Sequence, residues 1–536
     1  MKEVLVIGSG LAGLTCAIKL AESGIKCKLV SPYASKRSQS VMAAGGINAA
    51  IGEDDSIELH INETYDGGCK IANLESVKEL CGSAPEIIYW LESLGAVFTR
   101  TTENKIALRA FGGQSKNRTA YSGSSTGKQI MTALINEARK YEILGLIERK
   151  IYRYFHSGLI KNGICYGAIL YNDLTMKIET ELVDAVVIAT GGQNALFGKT
   201  TGSMLCDGYA AAQLFIQGAK LKNLEFIQYH PTTIETAQKR MLISEAARGE
   251  GGRLYYLDGK ERKYFMEDLY GPRGNLMPRD IVAKHIYDAP SQVYLDISFL
   301  GEKLINSRLS EVKDLCQKYL GINVIKESIP VYPSVHFFMG GLSVDNKHET
   351  NIKNLYAIGE CASKYHGANR LGGNSLLAAI KSANISAKAI SELEKDNLFC
   401  DFNDYIETQK QLFKKVKESK SKFSAVYIRN EVAKIMNNCL GITRNETKII
   451  QGLEEIDFYI SISNNLSFDY DISYYINYSL KPMLILAKAI LLSALGRKET
   501  RGSHIREDYP NKSENYCKSS YISYINGEYN LTFEKE

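Results

Sequence analysis

At 536 residues the chain exceeds what one ordinary core accommodates, so two or three packed units are expected, with room to bury a large bound group. Hydrophobic residues at 45% and charged residues at 23% are globular proportions and exclude extended disorder. The 65 basic and 60 acidic side chains leave a net charge of +5 without a Lys/Arg run, so nucleic acid is not an expected partner.

The chain opens directly on a strand, Val4-Leu5-Val6-Ile7, which leaves no room for a leader and suggests a cytoplasmic protein. A glycine turn follows at Gly8-Ser9-Gly10-Leu11-Ala12-Gly13, then a helix to about Ser23 and a second strand from Cys27 to Val30. Glycines 8, 10 and 13 form G-x-G-x-x-G inside one βαβ unit, where they permit a tight turn, close approach of a pyrophosphate and close helix packing. The residue after the second strand, where an acid would bind a ribose hydroxyl, is Ser31. Further apolar strands, Ala185 to Ala189 and Leu355 to Ile358, also run into glycines, which suggests one nucleotide-binding domain interrupted by insertions.

Residues 225–335 carry their own mixed pattern and read as a capping domain, and from about 396 the pattern turns mainly helical. The expected division is an α/β, Rossmann-like nucleotide-binding domain at 1–224 and 336–395, an inserted α+β cap at 225–335, and a helical C-terminal domain at 396–536. The apolar stretch Met483 to Leu495 is interrupted by Lys488 and is too short to span a bilayer. Eleven cysteines occur with no C-x-x-C pair, so neither a disulfide framework, an iron–sulfur cluster nor a metal site is expected.

Between Ser38 and Ala50, small residues would let backbone amides approach a flat ring system. Arg37-Ser38-Gln39-Ser40 followed by Gly45-Gly46-Ile47-Asn48 resembles the flavin-holding segment of the succinate dehydrogenase and fumarate reductase flavoprotein subunits. Phe111-Gly112-Gly113, Asp207-Gly208, Gln228-Tyr229-His230-Pro231-Thr232, Ser244-Glu245-Ala246-Ala247-Arg248-Gly249-Glu250-Gly251-Gly252, Pro278-Arg279-Asp280, His336, and Asn369-Arg370-Leu371-Gly372-Gly373-Asn374-Ser375-Leu376 extend the resemblance through the chain.

The resemblance implies FAD, and an exchange of hydride with fumarate or succinate. A His is usually bonded to the flavin where this chain has Gln39, and an amide cannot form that bond, so noncovalent FAD is expected. The covalent link raises the flavin potential in this family, which makes fumarate reduction the expected direction. Gly8, Gly10, Leu11, Ala12, Gly13, Ser31, Ser38, Gln39, Ser40, Gly45, Gly46, Asp207, Glu360, Ser375 and Leu376 become the candidate cofactor contacts. Glu360 is matched to sugar hydroxyls, Ser375 and Leu376 to backbone contacts at a helix start, and Asp207 to a cofactor contact or simply an Asp-Gly turn.

A dicarboxylate needs cationic donors at both ends, and Arg grips a carboxylate through two nitrogens. By resemblance His230, His336, Arg370, Ser244 and Phe111 surround the substrate, and Arg279 is the proton donor, refilled through Glu245 and Arg248. Arg248 also admits a plain ion pair with Glu245, three residues away on one helix face. An L-aspartate oxidase is the rival enzyme reading, and a degenerate electron-transfer subunit the non-enzymatic one. The resemblance further implies an iron–sulfur subunit on a separate chain and, through partners, an indirect association with the cytoplasmic face of a membrane.

Overall fold

The computed structural model describes residues 2–394, 400–418, 424–463 and 474–536. Its organising element is a five-stranded parallel sheet. β1 (Glu3–Ile7) lies between β2 (Lys26–Ser31) and the strand Ala185–Ile188, with Ile147–Ile151 beyond β2 and Leu355–Ala357 beyond Ala185–Ile188. The three glycine-terminated strands of the sequence are therefore neighbours, and their glycine exits lie at one edge of the sheet.

These strands are apolar throughout because both faces are covered. Leu5, Ile7, Val186 and Ile188 enter one hydrophobic core, while Val4, Val6, Ala185 and Val187 enter another. On the second face α1 (Leu11–Glu22) packs against the helix Asn374–Ser391. The first face is filled by Tyr209–Ile216 and by two helices from late in the chain, Ala425–Cys439 and Tyr474–Gly496.

A third core, drawn wholly from residues between Ile234 and Val331, lies under the strands Arg253–Asp258 and Val293–Asp296 and the helix Arg279–Asp288. This segment is joined to the rest by strand Ile227–Glu235, paired antiparallel with Tyr332–Phe338. The boundary drawn at 395/396 falls outside the described residues.

Two expectations change. The C-terminal region is not helical to its end, because Ser519–Ile525 and Glu528–Glu534 form a hairpin that pairs with Leu221–Lys222. Its turn is Asn526-Gly527, both at positive φ, the geometry that favours a two-residue hairpin. The apolar stretch near Met483 belongs to a 23-residue helix, long and apolar enough by composition to cross a membrane, yet 72% of an apolar 18-residue stretch within it is buried in the fold.

Candidate active site

Between β1 and α1 the chain turns at Gly8, whose φ of +114° places an imagined Cβ 2.2 Å from Ala189 O. At Gly13 a Cβ would stand 1.8 Å from Gly8 O, so no side chain fits there while the helix start stays against the turn. Beyond this turn lies a cavity of about 650 Å³. Gly8, Gly10, Leu11 and Ala12 line one part of it, with Ser31, Ser38, Gln39, Ser40, Gly45 and Gly46 beside them. Gly13 serves packing and does not reach the cavity.

The remaining cofactor candidates also line this cavity, in different ways. Ser375 and Leu376 sit in the first turn of the helix Asn374–Ser391, where amides have no intrahelical acceptor. Glu360 accepts from the Phe338 amide at 3.1 Å, and burial pushes its carboxyl up to about 7. Ser31 has no acid's role to play, since its hydroxyl donates to Tyr33 O and meets Ser9 Oγ. Asp207 closes a turn onto the Tyr209 amide at 3.0 Å and accepts the Tyr475 hydroxyl at 2.7 Å, so both oxygens hold protein groups. Gln39 donates to Thr201 O at 3.3 Å.

The same cavity continues to a cluster of charge. Glu245 precedes the short helix Ala246–Gly249 and Arg279 begins Arg279–Asp288. Glu245 Oε2 accepts from Arg279 Nε at 3.0 Å and Nη2 at 2.6 Å, while Oε1 accepts from Arg248 Nη2 at 2.9 Å and the Gly112 amide at 3.2 Å. Burial opposes ionisation of Glu245, but the two guanidiniums outweigh it and hold the carboxyl down at about 2. Arg248 stands behind Glu245, away from the cavity wall, and its Nη1 donates to Asn275 O at 2.6 Å. Arg248 and Arg279 are thus ion-paired with opposite oxygens of Glu245.

Arg370 reaches the cavity from the loop before helix Asn374–Ser391 and lies over the Phe337 ring at 4.3 Å. Its Nη2 donates to Gln228 Oε1 at 3.0 Å, but its buried Nε–H has no partner among the described residues. Burial, then Arg279, push this guanidinium well below arginine's usual range. His230 and His336 come from paired strands, their rings 5.1 Å apart. Burial and the surrounding positive charge hold both well below the usual imidazole range, so both are neutral near pH 7. His336 Nδ1 meets the Thr201 hydroxyl at 2.7 Å, and His230 Nδ1 lies 3.1 Å from Thr232 O. Ser244 and Phe111 complete this wall, with Phe111 against Gly45.

Every candidate except Gly13 and Arg248 therefore borders one cavity. Sequence reasoning gave no role to Gln228, Thr201 or Asn275. Gln228 is two residues before His230 on the same strand, but the pairing of that strand shifts register between Gln228 and Tyr229, so simple alternation does not point to it. The contacts of Thr201 and Asn275 are tertiary and leave no local trace in the sequence.

A glycine turn at a parallel sheet, small residues along a long cavity, free helix-start amides and a terminal guanidinium cluster define an FAD-binding oxidoreductase. A family model described as "FAD binding domain" matches residues 3–376, and one described as "Fumarate reductase flavoprotein C-term" matches 429–536. The chain belongs to the succinate dehydrogenase and fumarate reductase flavoprotein subunit family. It is 37% identical to the succinate dehydrogenase flavoprotein subunit of Bacillus subtilis, over 96% of this chain and 92% of that one. The L-aspartate oxidase of Yersinia pestis is 32% identical over 96% of this chain and 97% of its own length. Among solved structures, the FrdA chain of E. coli quinol fumarate reductase aligns with a TM-score of 0.91 at 27% identity, covering 100% of this chain and 96% of that one.

Proposed function

We propose that this chain is the flavoprotein subunit of a fumarate reductase, adding a hydride and a proton to fumarate to form succinate. The observation that carries the reading is the buried Arg370, which lines the cavity and whose Nε–H, unpartnered among the described residues, a substrate carboxylate would satisfy. Arg248, Arg279 and Arg370 against ionised Glu245 leave two positive charges, which matches a dianion. The histidines add neutral ring groups without raising that surplus.

FAD, when bound, supplies the hydride. It would rest against the Gly8–Ala12 turn, the Ser38–Gly46 segment, Glu360 and the amides of Ser375 and Leu376, held without a covalent bond because Gln39 offers none. Arg370 would clamp one carboxylate while His230, His336 and Ser244 orient the other end. Arg279 would give its proton to the alkene carbon next to the one that takes the hydride. Its two contacts with Glu245, and Arg248 beyond, form a line along which a proton can return. The separate core of residues 234–331 supports a capping unit over the sheet domain. Electrons would arrive from an iron–sulfur subunit on another chain, which could also place the protein at the cytoplasmic face of a membrane.

The test is fumarate-dependent oxidation of reduced viologen dye by the purified FAD-loaded chain, with succinate quantified as product. An enzyme that ignores fumarate but converts L-aspartate to iminoaspartate and peroxide would overturn the reading.

A further inference from the structure

Two carboxamides stand between the site arginines and a carboxylate outside the cavity. Gln228, fully buried, accepts on Oε1 from Arg279 Nη1 at 3.1 Å and from Arg370 Nη2 at 3.0 Å. Its Nε2 donates to Asn369 Oδ1 at 2.8 Å and to Arg370 O at 2.7 Å. Asn369 in turn donates its Nδ2 to Asp280 Oδ1 at 2.9 Å. Asp280 follows Arg279 in sequence and Asn369 precedes Arg370, so two distant dipeptides are tied together twice, once through their neighbours and once through Gln228.

The direction of each amide follows from this chain of contacts. Guanidiniums only donate and a backbone carbonyl only accepts. Gln228 must therefore turn its oxygen to the two arginines and its NH₂ to Arg370 O and Asn369, which leaves the Asn369 NH₂ for Asp280. Flipping either amide sets donor against donor. The shared acceptor is also neutral, so it fixes the spacing of two like charges without cancelling either.

We propose that Asp280, Asn369 and Gln228 are positioning residues, a relay that orients one amide oxygen to hold the proton donor Arg279 and the carboxylate clamp Arg370 in register. The proposal rests on the fumarate reading above. It is tested on the FAD-loaded protein by viologen-linked kcat and KM for fumarate, and by titrating malonate, an unreactive dicarboxylate, against the flavin spectrum.

Gln228→Met should lower kcat by roughly 10- to 100-fold and weaken malonate binding with FAD content retained, because displacements of about 1 Å carry costs of that order. Asp280→Asn, which keeps the volume but weakens the acceptor that anchors the Asn369 NH₂, should act in the same direction though it touches neither arginine's guanidinium. The double variant should be no worse than Gln228→Met alone, since both changes break one chain. Asp280→Asn within about twofold of the parent in kcat and malonate affinity, or losses that simply multiply in the double variant, would overturn the relay. Should Asp280→Asn not fold, Asn369→Ala is held to the same criteria. A parent that neither binds malonate nor reduces fumarate sinks the fumarate reading, whereas an active parent with variants at parity sinks only the relay.

Discussion

The two ends of the cavity are built on different principles. Where FAD would lie, the turn at Gly8, the glycines and serines of the Ser38–Gly46 segment and the starts of two helices bring backbone to the wall. Where the substrate would lie, the wall carries long charged side chains from three separated segments, interlocked through Glu245 and Gln228. The first end is shaped by where no atom can be added. The second depends on each ion keeping its partner, because a buried charge without one is costly. Damage should therefore show as lost cofactor at one end and as lost rate or stability at the other.

The largest effect is expected at the first end. Gly13→Val places atoms where even a Cβ would stand 1.8 Å from Gly8 O, so helix and turn must part. The purified variant should carry no flavin absorbance, and a variant retaining FAD at parental stoichiometry would show that the turn tolerates a side chain. At the second end, Arg279→Gln should keep FAD and malonate binding but lower kcat by the factor of about 10² to 10⁴ typical of a lost general acid. Arg279→Lys should recover part of that rate. A kcat for Arg279→Gln near the parent's would move the acid's role to His336. A smaller effect separates Arg370, whose loss should raise KM and lower kcat/KM by removing a carboxylate contact made throughout the reaction.

These two ends were also unequally legible. Gly8, Gly10 and Gly13 announce a cofactor turn by spacing alone, because the strand before them and the helix after them are visible in the same stretch of chain. No spacing joins His230, Glu245, Arg279, His336 and Arg370. Family resemblance brought them together, and the structure places all five on one cavity. The bonds among them stayed hidden, since hydrogen bonds such as Gln228 to Arg370 cross 142 residues. Arg248 and Glu245 were the exception, three residues apart and paired as helix geometry predicts. The terminal hairpin was legible in principle, through Asn526-Gly527 between alternating residues. The Lys/Glu-rich helical pattern upstream of it obscures that signal.

The smallest effect is a pH dependence, and it isolates the ion cluster from the rest of the molecule. Glu245 is held down at about 2 from an ordinary value of 4.5, against its own burial, by Arg279 and Arg248. A depressed carboxylate adds stability that is fully present above the unfolded value and is lost as pH falls through the folded one. The window is therefore from about pH 4.5 down to about pH 2, and the shift corresponds to ~3 kcal/mol. Glu245→Gln removes the charge at every pH and leaves the two guanidiniums without their anion, so at neutral pH it should unfold at lower denaturant than the parent. As the pH drops through that window the parent's Glu245 takes up a proton and becomes nearly isosteric with the variant's amide. The gap between parent and Glu245→Gln should then close, where a purely packing defect would keep it constant. Denaturant midpoints for both proteins across this range measure the gap directly, and a difference independent of pH would show that Glu245 holds its place by shape and not by charge.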